Sequence, residues 1–584
     1  PPVGFGAEDL HAAATVVRES AFGQHSPGAA QNRCGHGLCL VHGGHAADHH
    51  RSGTAEAILP GRRHLVVPAG RDAARAADGD KTAYIWVDRS GSVVEHHSFS
   101  DLSQASTRFA NVLHQIGARK GDCAVVIMPR VPAWYEVVIG CIKAGVVAMP
   151  GTNLLTAKDI EYRINKSNAT VAVVSMEHVS KIETIKDHCP TLQHLILIGG
   201  EQDRWISYDK ACAEAGAQAD PGAVVHSRSD EMMMAYFTSG TTSLPKLVPR
   251  DHGYALGHVV TGNYWMDLTE NDVHWTLSDT GWAKAAWGML FPQWLFGTAV
   301  VLYDGDAKFD ADIHLRLIGE LGVTTFCAPP TVYRLFAQMD LSGYDLGSLR
   351  HSLSAGEPLN PEAIRMWKDV TGTMVHDGYG QTETVNIVAN VPGMEIRPGS
   401  MGKPVPGMDV QIVDGDGKIC DDGEIGHIAL QVGGVQPLGL FDGYYEDEKN
   451  LNRDSFQHGW YYTGDTATRD ADGYIWFVGR SDDIISSAGY RISPFEVESV
   501  LLEHPAVVES AVVAKPDELR GEIVKAHIVL AEGYEPDDAL KTLIQDYVKE
   551  TTAPYKYPRE IEFRESLPKT ISGKIRRVEL REES

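Results

Sequence analysis

The chain reads as an α/β protein. It has a large N-terminal domain of several subdomains, with mostly parallel sheets covered by helices and a small β-rich part, and a small α+β C-terminal domain. Three observations predict this. Short apolar runs alternate with helix-period stretches from about Lys81 onward, a pattern that implies parallel sheets under helices. Beyond about residue 400 the texture changes to short strands and tight turns. After Arg480 a mixed unit of about 100 residues begins, large enough to fold separately. A length of 584 residues accommodates several such units.

The elements follow in order. Residues 1–75 are rich in Ala, Gly and His, lack sustained periodicity and read as an atypical, disordered extension. Cys34, His36, Cys39, His42 and His45 fit no common zinc spacing. Glu8, Asp9 and Glu19 make the stretch a poor transit peptide. Residues 84–87 are predicted as a strand. Residues 99–117 are predicted as a helix capped by Ser100, with Leu102, Phe109, Val112 and Leu113 on its buried face. A strand at 123–128, a helix at 134–145 and strands at 171–175, 195–198 and 232–237 continue the alternation. The β-rich part contains strands at 410–413 and 427–431 around the turn Asp414-Gly415-Asp416-Gly417. The last unit is read as helix 494–504, strands 507–514 and 524–530, and helix 537–549. The polar run Arg480-Ser481-Asp482-Asp483 is its linker, giving domains 76–480 and 481–584.

Bulk properties narrow the partners. Hydrophobic residues make up 43% and charged residues 22%, as in a soluble globular protein. A net charge of −26 opposes general nucleic-acid binding and adhesion to anionic membranes. Basic residues gather locally near the C-terminus, where residues 541–581 hold ten Lys/Arg against six Asp/Glu. The eight cysteines are scattered and suggest no disulfide framework, so a reducing compartment is expected. No apolar stretch reaches the roughly 18–20 residues of a membrane span. The expected location is the cytoplasm, with the mitochondrial matrix as the alternative, and the expected assembly is a monomer or homodimer.

The most informative segment is Thr238-Ser239-Gly240-Thr241-Thr242-Ser243-Leu244-Pro245-Lys246, directly after the apolar run 232–237. A strand-end loop this rich in hydroxyls, with one glycine and one lysine, suits phosphate oxygens. It is not a Walker A loop: Pro245 stands where the second glycine belongs, and Leu247 follows the lysine. Four further segments accompany it: Ala355-Gly356-Glu357-Pro358-Leu359, Asp377-Gly378-Tyr379-Gly380-Gln381-Thr382-Glu383-Thr384, Tyr462-Thr463-Gly464-Asp465 with Gly479-Arg480, and Pro568-Lys569-Thr570-Ile571-Ser572-Gly573-Lys574. In this order they resemble the adenylate-forming superfamily of acyl-CoA synthetases, luciferases and adenylation domains, over residues 76–584. The segments Trp275-x-x-Ser278-Asp279-Thr280-Gly281-Trp282, Gly489-Tyr490-Arg491-Ile492 and Thr552-Ala553-Pro554-Tyr555-Lys556-Tyr557-Pro558 look closest to medium-chain acyl-CoA synthetases.

The resemblance implies a two-step ligase. A carboxylate attacks the α-phosphate of ATP to give an acyl-adenylate and pyrophosphate, and the thiol of CoA then displaces AMP. It implies that Lys574 bridges carboxylate and α-phosphate, that Thr382 contacts them, and that Glu383 holds Mg2+. Asp465 and Arg480 would bind the ribose, and Tyr379 would stack on adenine with Asp377, Gly378 and the backbone of Gly356, Glu357 and Pro358 at its edges. Gly380 and Gln381 belong to the same nucleotide motif, and the loop from Thr238 to Ser243 with Lys246 would hold the phosphates. A hinge at Asp482 would exchange Lys574 for Ala488, Gly489 and Tyr490. Arg520, Lys549, Tyr555, Lys556 and Tyr557 would then grip CoA. Two departures stand out: Ser243 replaces the family's usual glycine, and residues 1–75 do not match the elements that open the large domain.

Five of the eleven tryptophans fall between Trp265 and Trp294, and Gly281 and Trp282 are the leading candidates for an apolar acyl pocket. A packed aromatic core accounts for any single tryptophan equally well. Delivery of the acyl group to a carrier protein is the alternative outcome. The spacing Ser243-Leu244-Pro245-Lys246 also allows a serine-hydrolase reading, but its partner motifs are absent.

Overall fold

The computed structural model describes residues 79–238, 245–305, 309–356, 361–434, 436–446, 450–481, 483–488, 490–569 and 575–583, together with the strands Ala55–Leu59 and Arg63–Val67. Those two strands pair antiparallel and join no other sheet among the described residues. The N-terminal stretch therefore contains a hairpin that its composition did not suggest.

Two mostly parallel sheets form the large domain. The first has seven strands, in the order Leu247–Asp251, Met232–Phe237, Val147–Gly151, Cys123–Ile127, Val171–Ser175, His194–Ile198 and Ile206–Ser207. Only its Leu247–Asp251 edge runs antiparallel. The inner strands Cys123–Ile127 and Val171–Ser175 are almost continuously apolar because both faces are covered. The second sheet has nine strands, with six parallel ones from Val375–Gly380 through His351–Ala355, Thr325–Cys327, Val273–Thr276 and Ala299–Tyr303 to Thr82–Val87. Antiparallel strands close both of its edges.

Helix boundaries follow local chemistry. Helix Phe99–Gln115 starts from Ser98, not Ser100, because Asp101 lies three residues after Ser98 and completes a reciprocal capping box. Thr156 and Asp159 do the same for helix Ala157–Ser167. Helix Pro132–Ala144 begins on proline and ends at Gly145, whose φ of 70° a side chain would oppose.

A third, antiparallel sheet contains Val410–Val413, Gly426–Gln431, Trp460–Arg469, Phe456–Gln457 and Ile475–Arg480. Arg480 is thus the last residue of a strand. The C-terminal unit follows, with Gly521–Leu530 at the centre of its own sheet beside Val507–Asp517 and parallel to Glu560–Phe563. Helices Pro494–Leu502 and Asp538–Thr551 complete a separate core that includes Val497, Leu501, Val512, Ile528 and Ile544. This agrees with the two-domain α/β fold expected from the sequence.

Candidate active site

A cavity of about 440 Å³ opens where the two parallel sheets present their carboxyl ends. Its wall takes Thr152 after Val147–Gly151, Thr238 after Met232–Phe237, and Leu277 to Asp279 after Val273–Thr276. Gly356 follows His351–Ala355, and Gly380, Gln381 and Thr382 continue from Val375–Gly380. Thr238 also closes the base of the hydroxyl-rich loop: its N–H donates to the Lys246 carbonyl (2.9 Å) and its Oγ1 accepts from the Lys246 N–H (3.3 Å). Ser239, Gly240, Thr241, Thr242, Ser243 and Leu244 lie outside the described residues, as do Glu357 and Pro358.

At one side stands a carboxylate with three donors around it. Asp465 is 6% exposed. Its Oδ2 accepts from the Tyr379 hydroxyl (2.6 Å) and from Gln381 Nε2 (2.9 Å), and Arg480 lies 3.3 Å from its Oδ1. Tyr461 in turn donates to Gln381 Oε1 (3.0 Å). Asp465 and Arg480 reach this point because their strands pair in register. Burial holds the Tyr379 phenol far above its ordinary range, with the Asp465 charge reinforcing it, so Tyr379 remains a donor. Asp377 is buried beside Gly378, and burial pushes its carboxyl up to about 8. At neutral pH it keeps its proton and offers both a donor and an acceptor. Gly356 has φ +105°, which a side chain rarely adopts.

Glu383 is 9% exposed. Its Oε1 accepts from the Tyr444 hydroxyl (2.8 Å), and the Lys246 ammonium sits 4.4 Å from the centre of the same ring. Its carbonyl accepts from Arg250 (2.7 Å) and from the Phe441 N–H (2.9 Å). Among the described residues no three His, Cys, Asp or Glu side chains gather as a complete metal cage.

The cavity continues between Trp265, Trp282 and Trp287. Trp282 lines it. Gly281 does not: a Cβ there would come 1.9 Å from the Thr152 nitrogen, so this glycine serves close backbone packing. Lys284 lines the same wall and donates to the Ala355 carbonyl (3.0 Å). It is the only charged residue between Trp282 and Trp294, a signal the sequence offered and the motif reading passed over. Arg250, Tyr444 and Tyr461 were also missed, since no local motif marks them.

On the C-terminal unit, the Ala488 N–H donates to the Arg520 carbonyl (2.8 Å), and Tyr490 stacks on Tyr555 with centroids 4.2 Å apart. Lys549 lies 4.4 Å from the Tyr557 ring and pairs with Asp546 (2.8 Å), while Lys556 pairs with Glu496. Both lysines thus already have carboxylate partners. Asp482, Gly489 and Lys574 lie outside the described residues.

Comparison with known proteins agrees with this geometry. The AMP-binding enzyme model matches residues 71–445 and the AMP-binding enzyme C-terminal domain model residues 496–574. The chain is 45% identical to the mitochondrial acyl-coenzyme A synthetase ACSM4 of Rattus norvegicus over 503 residues, 85% of this chain and 86% of that one. It is 44% identical to the mitochondrial ACSM3 of Mus musculus over 504 residues, with the same coverage. Among solved structures, the anthranilate CoA ligase AuaEII in complex with anthranoyl-AMP superposes with a TM-score of 0.79 at 34% identity, covering 87% of this chain and 95% of that one. The chain belongs to the family of AMP-binding enzymes, and within it to the acyl-coenzyme A synthetases.

Proposed function

We propose that this enzyme joins a medium-chain carboxylic acid to CoA at the expense of ATP, releasing AMP and pyrophosphate. The observation that carries the reading is the cavity itself. Gln381 on its wall donates to Asp465, whose cluster with Tyr379 and Arg480 suits a ribose, and its tryptophan-lined part suits an apolar acid. In the first step a carboxylate oxygen bonds to the α-phosphorus, and the bond from that phosphorus to the bridging oxygen of pyrophosphate breaks. In the second the CoA sulfur bonds to the acyl carbon, AMP leaves with the carboxylate oxygen, and the thiol proton passes to solvent.

Both reactants of the first step are anions, so the protein's task is to position them and offset their charge. Lys574, delivered by the C-terminal domain about a hinge at Asp482, would lie between them, with Thr382 at the reacting groups. Asp465 and Arg480 would hold the ribose. Tyr379, Asp377, Gly378 and the turn at Gly356, Glu357 and Pro358 would hold adenine, while the loop from Thr238 to Ser243 with Lys246 would hold the phosphates. Glu383 suits magnesium: such an ion takes one or two carboxylates and leaves its remaining positions to phosphates and water. When bound, it would neutralise charge on the phosphate oxygens. Ala488, Gly489, Tyr490, Arg520, Lys549, Tyr555, Lys556 and Tyr557 would receive CoA. The names of the relatives favour a mitochondrial location over the cytoplasm for this chain, and organelle fractionation would decide between them.

The test is ATP–pyrophosphate exchange over a panel of acids. Exchange should require an added acid and be faster with hexanoate and octanoate than with acetate or palmitate. A methylene discriminates by only about 1–3 kcal/mol, so the profile should be broad. Exchange with none of the acids, from folded enzyme, would reject the reading.

A further inference from the structure

We propose that Tyr444, which no sequence motif marks, is a positioning residue for the first half-reaction. It aims the Glu383 carboxylate at the metal that accompanies ATP and holds Lys246 toward the phosphates. The proposal rests on the function given above.

Six contacts carry it. The Tyr444 hydroxyl donates to Glu383 Oε1 at 2.8 Å, and no described residue hydrogen-bonds Oε2. One oxygen is thereby fixed and the other left for an incoming cation. The Lys246 ammonium lies 4.4 Å from the same ring, so one side chain contacts both the carboxylate and the phosphate-loop cation. The backbone is equally fixed: the Tyr444 N–H donates to Asn452 Oδ1 (2.7 Å) and the Tyr445 N–H to the Leu247 carbonyl (3.0 Å). Arg250, 1% exposed, ties the two halves together by donating to the carbonyls of Glu383 and Gly439. Both the side chain and the main chain of Glu383 are therefore held by the segment that bears Tyr444 and by the strand that follows Lys246.

The hydroxyl and the ring can be separated. Tyr444→Phe keeps the ring under Lys246 and removes the hydrogen bond; Tyr444→Leu removes both. Binding of Mn2+ to the enzyme–ATP complex, followed by electron paramagnetic resonance without any acid, reads the carboxylate. Binding of ATP without metal, in EDTA, reads the cation. Tyr444→Phe should weaken Mn2+ about tenfold, the scale of one charged hydrogen bond, and leave binding of metal-free ATP within about twofold. Tyr444→Leu should weaken Mn2+ similarly and weaken binding of metal-free ATP several-fold as well. Near-ultraviolet circular dichroism identifies any variant that has lost its fold, and Glu383→Gln serves as the reference. If Glu383→Gln weakens Mn2+ and Tyr444→Phe does not, the role of Tyr444 is overturned while the function stands. If Glu383→Gln leaves Mn2+ unchanged, the metal assignment fails and the proposal falls with it. A merely structural tyrosine would lower stability without separating the two readouts.

Discussion

Single side chains set the protonation and donor pattern of the nucleotide site. Asp377 shows how. Burial lifts its carboxyl from 3.8 to about 8, so the folded chain holds that proton more tightly than the unfolded chain does. Its contribution to stability is therefore present below the unfolded value and declines as pH rises toward about 8. Asp377→Asn cannot ionise. Its melting temperature relative to the parent should rise progressively between about pH 5 and about pH 8, as measured by scanning calorimetry. A difference that stays flat over this range would show that Asp377 is not raised. Tyr379 gives a second case, in function. Its hydroxyl donates to Asp465 at 2.6 Å, so Tyr379→Phe leaves the carboxylate proposed to hold the ribose short of one donor. Initial-rate measurements should find the KM for ATP raised about tenfold with little change in kcat, as expected when binding common to ground and transition states is lost. An unchanged KM would remove Tyr379 from the ribose cradle.

At the scale of elements, the residues on either side of the segment that contains Lys574 are tied together. Lys569 and Ile575 bridge antiparallel, and helix Arg577–Glu582 follows at once. Arg577 makes a two-pronged contact to Glu498 (2.7 and 2.8 Å), and Arg581 reaches Asp483 at 3.0 Å, directly after the proposed hinge. Glu498 is 6% exposed, so Arg577→Met would leave a buried charge unpaired. The expected cost is about 3 kcal/mol, seen as an earlier denaturant midpoint for the C-terminal unit. The double variant Arg577→Met/Glu498→Gln should recover much of it, and failure to recover would mean that the arginine acts through something other than this pair. Strands, helices and the fold class were legible in the sequence because apolar periodicity is a local signal. Ser98 was missed as the cap of helix Phe99–Gln115, since Ser100 lies nearer the apolar face and only the partner Asp101 decides between them. Tyr444, Arg250 and Lys284 were missed for a different reason. They act on residues 61, 133 and 71 positions away, where local pattern carries no information. Gly281 was read as lining the pocket because it adjoins Trp282, although its value lies in the backbone it lets approach.

For the whole molecule, a chain of net charge −26 binds two polyphosphates, so the cations that matter must be placed locally. Lys246 and Lys284 stand at the carboxyl ends of the two sheets, Arg480 lies beside Asp465, and Arg250 is buried against the Glu383 carbonyl. The remaining cation, Lys574, belongs to the other domain. Between the domains, Ser493 donates to the Val478 carbonyl and Phe477 packs edge-on against Phe495 at 5.9 Å. In the proposed mechanism the C-terminal domain presents two faces in turn, Lys574 for adenylate formation and Ala488 to Tyr490 for thioester formation. Gly489→Leu should accordingly slow CoA transfer and leave pyrophosphate exchange near its parent rate. Equal slowing of both would place that glycine outside the CoA path.

The division of labour between domains is tested most directly by measuring both half-reactions of Lys574→Ala separately. One assay is pyrophosphate exchange with octanoate. The other is thioester formation from supplied octanoyl-adenylate and CoA. The account predicts that exchange falls by several orders of magnitude while thioester formation proceeds near the parent rate. Equal loss in both half-reactions, or exchange that survives without the lysine, would contradict it.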